Sequence, residues 1–258
     1  MPLNTVPLNT VLAVTVPLID PRFERPEWLG TRILDEFAPG SPYGITVPTP
    51  EIMIDRRFAT VDLLPPPVDD VFAATLGPVP EDVVARSMFT DACPVRLDEL
   101  TYIEMTFWGF DERPHTGEMI VNADVAEDVV RVFELMYEAR FAIEEMRVMT
   151  HEDFSRPPTG DDNITSSFEC RPAVGGSGGW SNHAFGLAID INPFHNPYRK
   201  GSLVLPELAS AYFDRSHERP GMVLENDQVV RAFTDLGWGW GGNWSSALDY
   251  MHFSWNGR

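Results

Sequence analysis

Basic residues are scarce in this chain. Its 258 residues carry 19 lysines and arginines against 39 aspartates and glutamates, a formal net charge of -20. Phosphate recognition needs clustered cations, so a nucleic-acid partner is excluded. High charge of one sign favours solubility and a monomer, although a general acidic habit of the source organism accounts for the balance better than any specific partner. Cysteine is nearly absent as well. Cys93 and Cys170 are the only two, and neither sits in a C-x-x-C pair, which argues against a thiolate zinc site. They are either buried free thiols or a disulfide, and sequence separation alone does not show that the sulfurs meet. No apolar run is long enough to cross a bilayer, so no membrane span is expected. The N-terminus repeats Pro-Leu-Asn-Thr-Val at Pro2 to Val6 and Pro7 to Val11, then runs apolar from Val11 to Ile19. That stretch looks like the hydrophobic part of an export signal, but the first basic residue is Arg22, so an export signal is not evident.

What is present suits a substantial core. Hydrophobic residues make up 43% of the chain, enough for one large domain or a domain with an extension. Between Ala38 and Asp82 proline and glycine are dense, as in Leu63-Leu64-Pro65-Pro66-Pro67, which predicts an extended segment wrapped over the core. The boundary falls around Pro78 to Asp82, giving an N-terminal extension over 1–82 and a catalytic domain over 83–258. From Leu100 the pattern is regular: Ile103, Met105 and Phe107 alternate with polar residues as in a strand, and a turn-rich stretch follows over Gly109 to Gly117. Asn122 is placed to cap a helix with the apolar stripe Val125, Val129, Val132, Phe133 and Met136. Ala142 to Thr150 reads as a strand and His151 to Ser166 as a polar loop. A second helix is expected over Asp227 to Leu236, capped by Asn226 and stopped by Gly237. This mixed order implies an α+β fold in which a small antiparallel sheet, flanked by helices, carries the functional residues.

Those residues lie in two motifs. In Ser181-Asn182-His183-Ala184-Phe185-Gly186-Leu187-Ala188-Ile189-Asp190 the alternation from Leu187 puts Asp190 on a strand face opposite the apolar side chains. Gly186 permits a bend that brings His183 back towards Asp190. Near the C-terminus, Trp238-Gly239-Trp240-Gly241-Gly242-Asn243-Trp244 precedes Asp249-Tyr250-Met251-His252-Phe253. A catalytic zinc ion wants three protein ligands and an open position. His183, Asp190 and His252 make that set, leaving Asp249 as a carboxylate for general base chemistry. Ser181 is read as a partner that orients a ligand. The tryptophans of the second motif are expected mainly in the core.

Together the motifs S-x-H-x-x-G-x-A-x-D and D-x-x-H-F closely resemble the D-alanyl-D-alanine carboxypeptidase and VanX/VanY-like zinc peptidases, which cut peptidoglycan stem peptides. The resemblance extends from roughly Cys93 to the C-terminus. It implies Zn2+ on His183, Asp190 and His252, Asp249 as catalytic base, and Arg171, in Ser167-Phe168-Glu169-Cys170-Arg171, as a group fixing a substrate carboxylate or polarised carbonyl. Glu169 departs from the neutral polar residue expected there and adds a negative charge beside Arg171. A cell-wall substrate implies an extracytoplasmic location, where a Cys93 to Cys170 disulfide is favoured over free thiols. A non-catalytic zinc-stabilised module that binds cell-wall peptide is the alternative, and Asp249 argues for the enzyme. The segment Gly175-Gly176-Ser177-Gly178-Gly179 has the form of a serine-hydrolase elbow but lacks the strand and helix that an elbow needs, so a flexible loop is expected. His115, His151, His195 and His217 have no second ligand at useful spacing and are expected in loops or at the surface.

Overall fold

The computed structural model describes residues 20–174 and 178–257. The tandem repeat, the apolar stretch to Ile19, and Ser177 with its two preceding glycines lie outside the described residues. The fold is a mixed α+β arrangement of small sheets and few helices. Strand β1 (Ala74–Gly77) is followed by helix α1 (Glu81–Arg86) and then by the long hairpin of β2 (Leu100–Gly109) and β3 (Pro114–Asn122). The strands pair antiparallel in the order β1-β2-β3, and Ile103, Met105 and Phe107 are buried. The turn is shorter than the glycines suggest. Trp108 already faces Pro114, and Glu112 takes a left-handed φ of 61° so that the chain can reverse within four residues.

Helix α2 (Ala126–Glu138) lies across this sheet. A 3-10 turn over Ala123–Val125 precedes it, and Asn122 Oδ1 accepts the Asp124 N–H at 3.1 Å. Val125, Val129, Val132, Phe133 and Met136 are all buried against β2 and β3, each worth roughly 1.5–3 kcal/mol of transfer free energy. The expected strand over 142–150 is broken into β4 (Ala142–Ile143), parallel to β2, and β5 (Glu145–Met146). Helix α3 (His151–Ser155) and β6 (Ile164–Thr165) interrupt the expected polar loop. Then come β7 (Ala188–Asp190), β8 (Tyr198–Lys200), β9 (Leu203–Leu205), helix α4 (Gln228–Thr234), β10 (Gly239–Trp240), β11 (Leu248–Asp249) and β12 (His252–Ser254). Asp227, not Asn226, caps α4: its Oδ1 accepts the Val230 N–H at 2.8 Å, while Asn226 sits at φ 60°. Gly237, at φ 87°, ends the turn after the helix.

From Asp20 to Phe72 the chain forms neither strand nor α-helix and packs along the body. Met53 and Phe58 join Phe194, Leu208, Tyr212 and Met222 in a second apolar cluster. Arg56 is buried with Glu144 in a two-pronged ion pair, Nε to Oε2 at 2.7 Å and Nη2 to Oε1 at 2.8 Å. Burial opposes ionisation of Glu144, and the guanidinium outweighs it, holding the carboxyl below its ordinary value. Cys93 and Cys170 form a disulfide with Cα atoms 5.7 Å apart, closing a separation of 77 residues. His151 and His217 are exposed as expected.

His115, on β3 and buried, corrects the expectation of a loop or surface position, whereas His195 lies in a loop as expected but not at the surface. His195 is fully buried, stacked on Phe110, with Nε2 on the Arg56 carbonyl at 3.0 Å. His115 is also buried, between Asp62 Oδ1 at 2.8 Å from Nδ1 and Asp111 Oδ1 at 2.9 Å from Nε2. Neutral imidazole has one N–H and can serve only one of these carboxylates as donor, so the arrangement selects the cation. Burial lowers the His115 pKa, but the two aspartates outweigh it and raise it above the ordinary histidine value. Its contribution to stability is therefore complete below about pH 6.5 and is lost as pH rises through the raised value. His115→Gln is expected to lower the unfolding midpoint at pH 6 and to cost progressively less above neutrality; a cost independent of pH would contradict the double ion pair.

Candidate metal centre and active site

Two short strands set the site. In the three-stranded sheet β10-β12-β7, Asp190 lies directly opposite His252, and Ile189 opposite Phe253. Ile189, Ile191 and Phe253 are completely buried in the main core, which turns Asp190 and His252 to the other face. Ser166 bridges the outer side of β7 and exchanges backbone hydrogen bonds with Asp190 at 2.9 and 3.1 Å. His183 comes from a 3-10 turn over Asn182–Phe185 capped by Ser181, whose Oγ accepts the His183 N–H at 3.3 Å. The turn ends at Gly186, φ 67°, packed so closely on β3 that a Cβ there would lie 2.5 Å from the Asn122 nitrogen. Only glycine meets both conditions.

The three side chains converge. His183 Nε2 is 3.3 Å from Asp190 Oδ2 and 3.2 Å from His252 Nδ1, and His252 Nδ1 is 3.1 Å from Asp190 Oδ1. One donor atom from each lies within 4.8 Å of the others. His183 Nδ1 is 2.6 Å from the Ser167 carbonyl, which can only accept; the proton is thereby assigned to Nδ1 and the Nε2 lone pair to the cluster. Two imidazole nitrogens and a carboxylate, with a cavity on one side, fit the donor set of a catalytic zinc ion. Burial raises the pKa of the Asp190 carboxyl, yet His183 and His252 outweigh it and hold the group well below the usual carboxylate range. His183 is raised despite its burial, chiefly by Asp190.

Asp249 enters from a second sheet, β11-β8-β9, in which it pairs with Tyr198. Its Oδ1 is buried without a hydrogen-bond partner among the described residues. Burial first, and then the Asp190 charge, push its carboxyl up to about 7, against the opposing pull of His252 and Arg171. Arg171 lines the same cavity. Its Nε donates to Glu169 Oε2 at 2.6 Å, and the Ser166 hydroxyl lies 3.1 Å from Glu169 Oε1. Burial works against the Arg171 charge, and the Glu169 carboxylate outweighs it and keeps the guanidinium ionised. The unexpected Glu169 thus holds Arg171 in place.

The cavity has a volume of about 420 Å3 and contains all five of the residues singled out from sequence, His183, Asp190, His252, Asp249 and Arg171. Its walls add Trp180, Tyr198, Leu205, Trp244 and Met251. Trp238 and Trp240 are core residues, whereas Trp244 stands at the site with its ring 5.2 Å from that of His252. Tyr198 and Leu205 were not foreseen. Their only sequence signal was the Asn196-Pro197-Tyr198 segment after Asp190, and nothing local announces its pairing with β11. A family model described as D-alanyl-D-alanine carboxypeptidase matches residues 175–255. The stretch contains His183, Asp190, Asp249 and His252, begins after Arg171, and bears out the resemblance seen in the two motifs. No curated protein and no solved structure matches the chain.

Gly186→Ala is expected to destabilise the fold by about 2 kcal/mol, since it forces both a positive φ and a backbone clash, and a variant with an unchanged unfolding midpoint would show that the turn does not depend on this glycine.

Proposed function

We propose that the protein is a zinc-dependent metallopeptidase hydrolysing peptide bonds of peptidoglycan stem peptides, as a D,D-carboxypeptidase or an endopeptidase. The observation that carries the reading is the buried, unpartnered Asp249 oxygen in the cavity of the two-histidine, one-aspartate cluster. The family match over this stretch supports the same class. A non-catalytic wall-binding module would have no use for a carboxylate so placed, because an unpaired buried oxygen costs stability and returns nothing to binding.

His183, Asp190 and His252 would hold the ion. Zinc bound there supplies a polarised scissile carbonyl and a water acidic enough to ionise near neutral pH. Asp249 removes the proton of the attacking water at Oδ1 and returns it to the leaving amine nitrogen. An acidity near neutrality suits both halves of that task, and the apolar surroundings that cause it also strengthen the other charge interactions in the cavity. Arg171, anchored through Nε by Glu169, presents the rest of its guanidinium to a substrate carboxylate or to the developing oxyanion. Trp180, Trp244, Leu205 and Met251 give the peptide apolar walls and displace water around the reacting bond. The Cys93–Cys170 disulfide supports an extracytoplasmic place of action, where such a bond persists.

Purified protein is expected to carry about one zinc per chain and to release D-alanine or smaller stem fragments from peptidoglycan until a chelator is added. Asp249→Ala should keep zinc and lose turnover by at least about 100-fold, whereas His183→Ala should lose both. Undiminished hydrolysis by Asp249→Ala would sink the base assignment, and a zinc-loaded protein inert towards peptidoglycan would favour the binding module.

A further inference from the structure

Tyr198 lines the cavity from β8, the central strand of the sheet β11-β8-β9. It pairs with Asp249 of β11 on one side and with Leu205 of β9 on the other. Residues directly opposite one another on antiparallel strands project from the same face of the sheet, with Cβ atoms about 4.5–5.5 Å apart. Leu205, Tyr198 and Asp249 therefore form one row, and all three line the cavity that holds His183, Asp190 and His252. Strands on both sides fix the backbone of Tyr198, so its ring has little freedom to leave the row. The Tyr198 hydroxyl makes no hydrogen bond among the described residues, yet it is not sealed in the interior as Asp249 Oδ1 is. An accessible polar tip on a residue that is only 9% exposed and lines the cavity opens on that cavity.

We infer that Tyr198 is a catalytic residue whose hydroxyl donates a hydrogen bond to the scissile carbonyl oxygen as that oxygen becomes an oxyanion. A peptide that fills the cavity displaces the water around this hydroxyl, and unless the peptide brings an acceptor the group is left unpaired at a cost to binding. The acceptor follows from the row. Asp249 acts on the attacking water and on the leaving nitrogen, which are both bonded to the carbonyl carbon in the tetrahedral state, so the reacting carbonyl lies alongside Asp249 and its cross-strand neighbour. As the water oxygen bonds to that carbon, the carbonyl π pair moves onto its oxygen, and the Tyr198 O–H donates there without giving up its proton. The pair returns when the C–N bond breaks and the amine takes the proton that Asp249 holds. A fixed donor aimed at charge that develops only in the transition state accelerates the chemical step. Burial first, and then the Asp249 charge, raise the Tyr198 pKa, so the phenol keeps its proton through the neutral range. Arg171 comes from a different segment, tied to Glu169 Oε2 at 2.6 Å and to the Pro172 carbonyl at 3.4 Å, and is left to the substrate carboxylate.

The inference rests on the peptidase reading, and the experiment separates the two. The probes are a stem peptide ending in D-alanyl-D-alanine and its analogue with a phosphinate in place of the amide that wild type cleaves, whose tetrahedral phosphorus oxygens stand in for the oxyanion. Tyr198→Phe, which keeps the ring, should lower kcat about 100-fold and leave KM, zinc content and unfolding midpoint unchanged. By calorimetry it should bind the phosphinate more weakly by the same factor and the cleavage products as wild type does. Failure of wild type to cleave the peptide at any bond would count against the peptidase reading and remove the role of Tyr198 with it. Cleavage by wild type with an unaltered kcat and phosphinate affinity in Tyr198→Phe would overturn the role of Tyr198 alone, and a loss seen only in Tyr198→Leu would show that the ring merely packs the wall. Equal weakening of phosphinate and products, with KM raised and kcat kept, would place the hydroxyl on a group that does not react, which also overturns it.

Discussion

The pairing register of β7 with β12 is the constraint on which the site depends. Asp190 opposes His252 because Ile189 opposes Phe253 in the core, and the second pair fixes the first. A slip of one residue would bury both polar side chains among the apolar residues of the main core and empty the cavity of two of its donors. The stabilisation of the sheet and the assembly of the centre are thus one event. His183 is then brought in by a separate device, a capped turn ending at a glycine pressed onto β3.

The electrostatics follow from that geometry. Two carboxylates, Asp190 and Asp249, line one cavity, and the charge of Asp190 makes ionisation of Asp249 harder. Asp190 is driven low by two imidazoles and Asp249 is driven high by burial and by Asp190. Two titratable groups pushed apart in this way suit the different roles proposed for them, ligand and base. Glu169 and Arg171 repeat the logic at the other end, where an ion pair fixes a cation that would otherwise be one flexible arm in a strongly acidic protein.

The residues of the candidate site were legible in the sequence because their positions are set by short-range pattern: alternation around Asp190, a bend at Gly186, and a compact D-x-x-H-F motif. The stripe of α2 was legible for the same reason, five apolar residues at helical spacing with Asn122 before them. What was not legible is set by contacts between distant segments. The pairing of Tyr198 with Asp249 crosses about fifty residues, and the docking of Thr46 and Gly44 on Val204 and Glu207 about one hundred and sixty. The burial of His115 and His195 was not legible because Asp62, which holds the one, and the Arg56 carbonyl and Phe110 ring, which hold the other, lie far off in the chain. Asn226 lost the helix cap to Asp227 by a single position, where a left-handed turn left the aspartate facing the first amides.

Zinc K-edge absorption fine structure on the purified protein tests the central claim most directly. The account predicts a four-coordinate ion whose nearest shell contains only nitrogen and oxygen at about 2.0 Å, with the outer scattering of two imidazoles, lost when His183 and His252 are replaced together. A shell containing sulfur, a spectrum unaltered by those replacements, or protein that retains no zinc would contradict it.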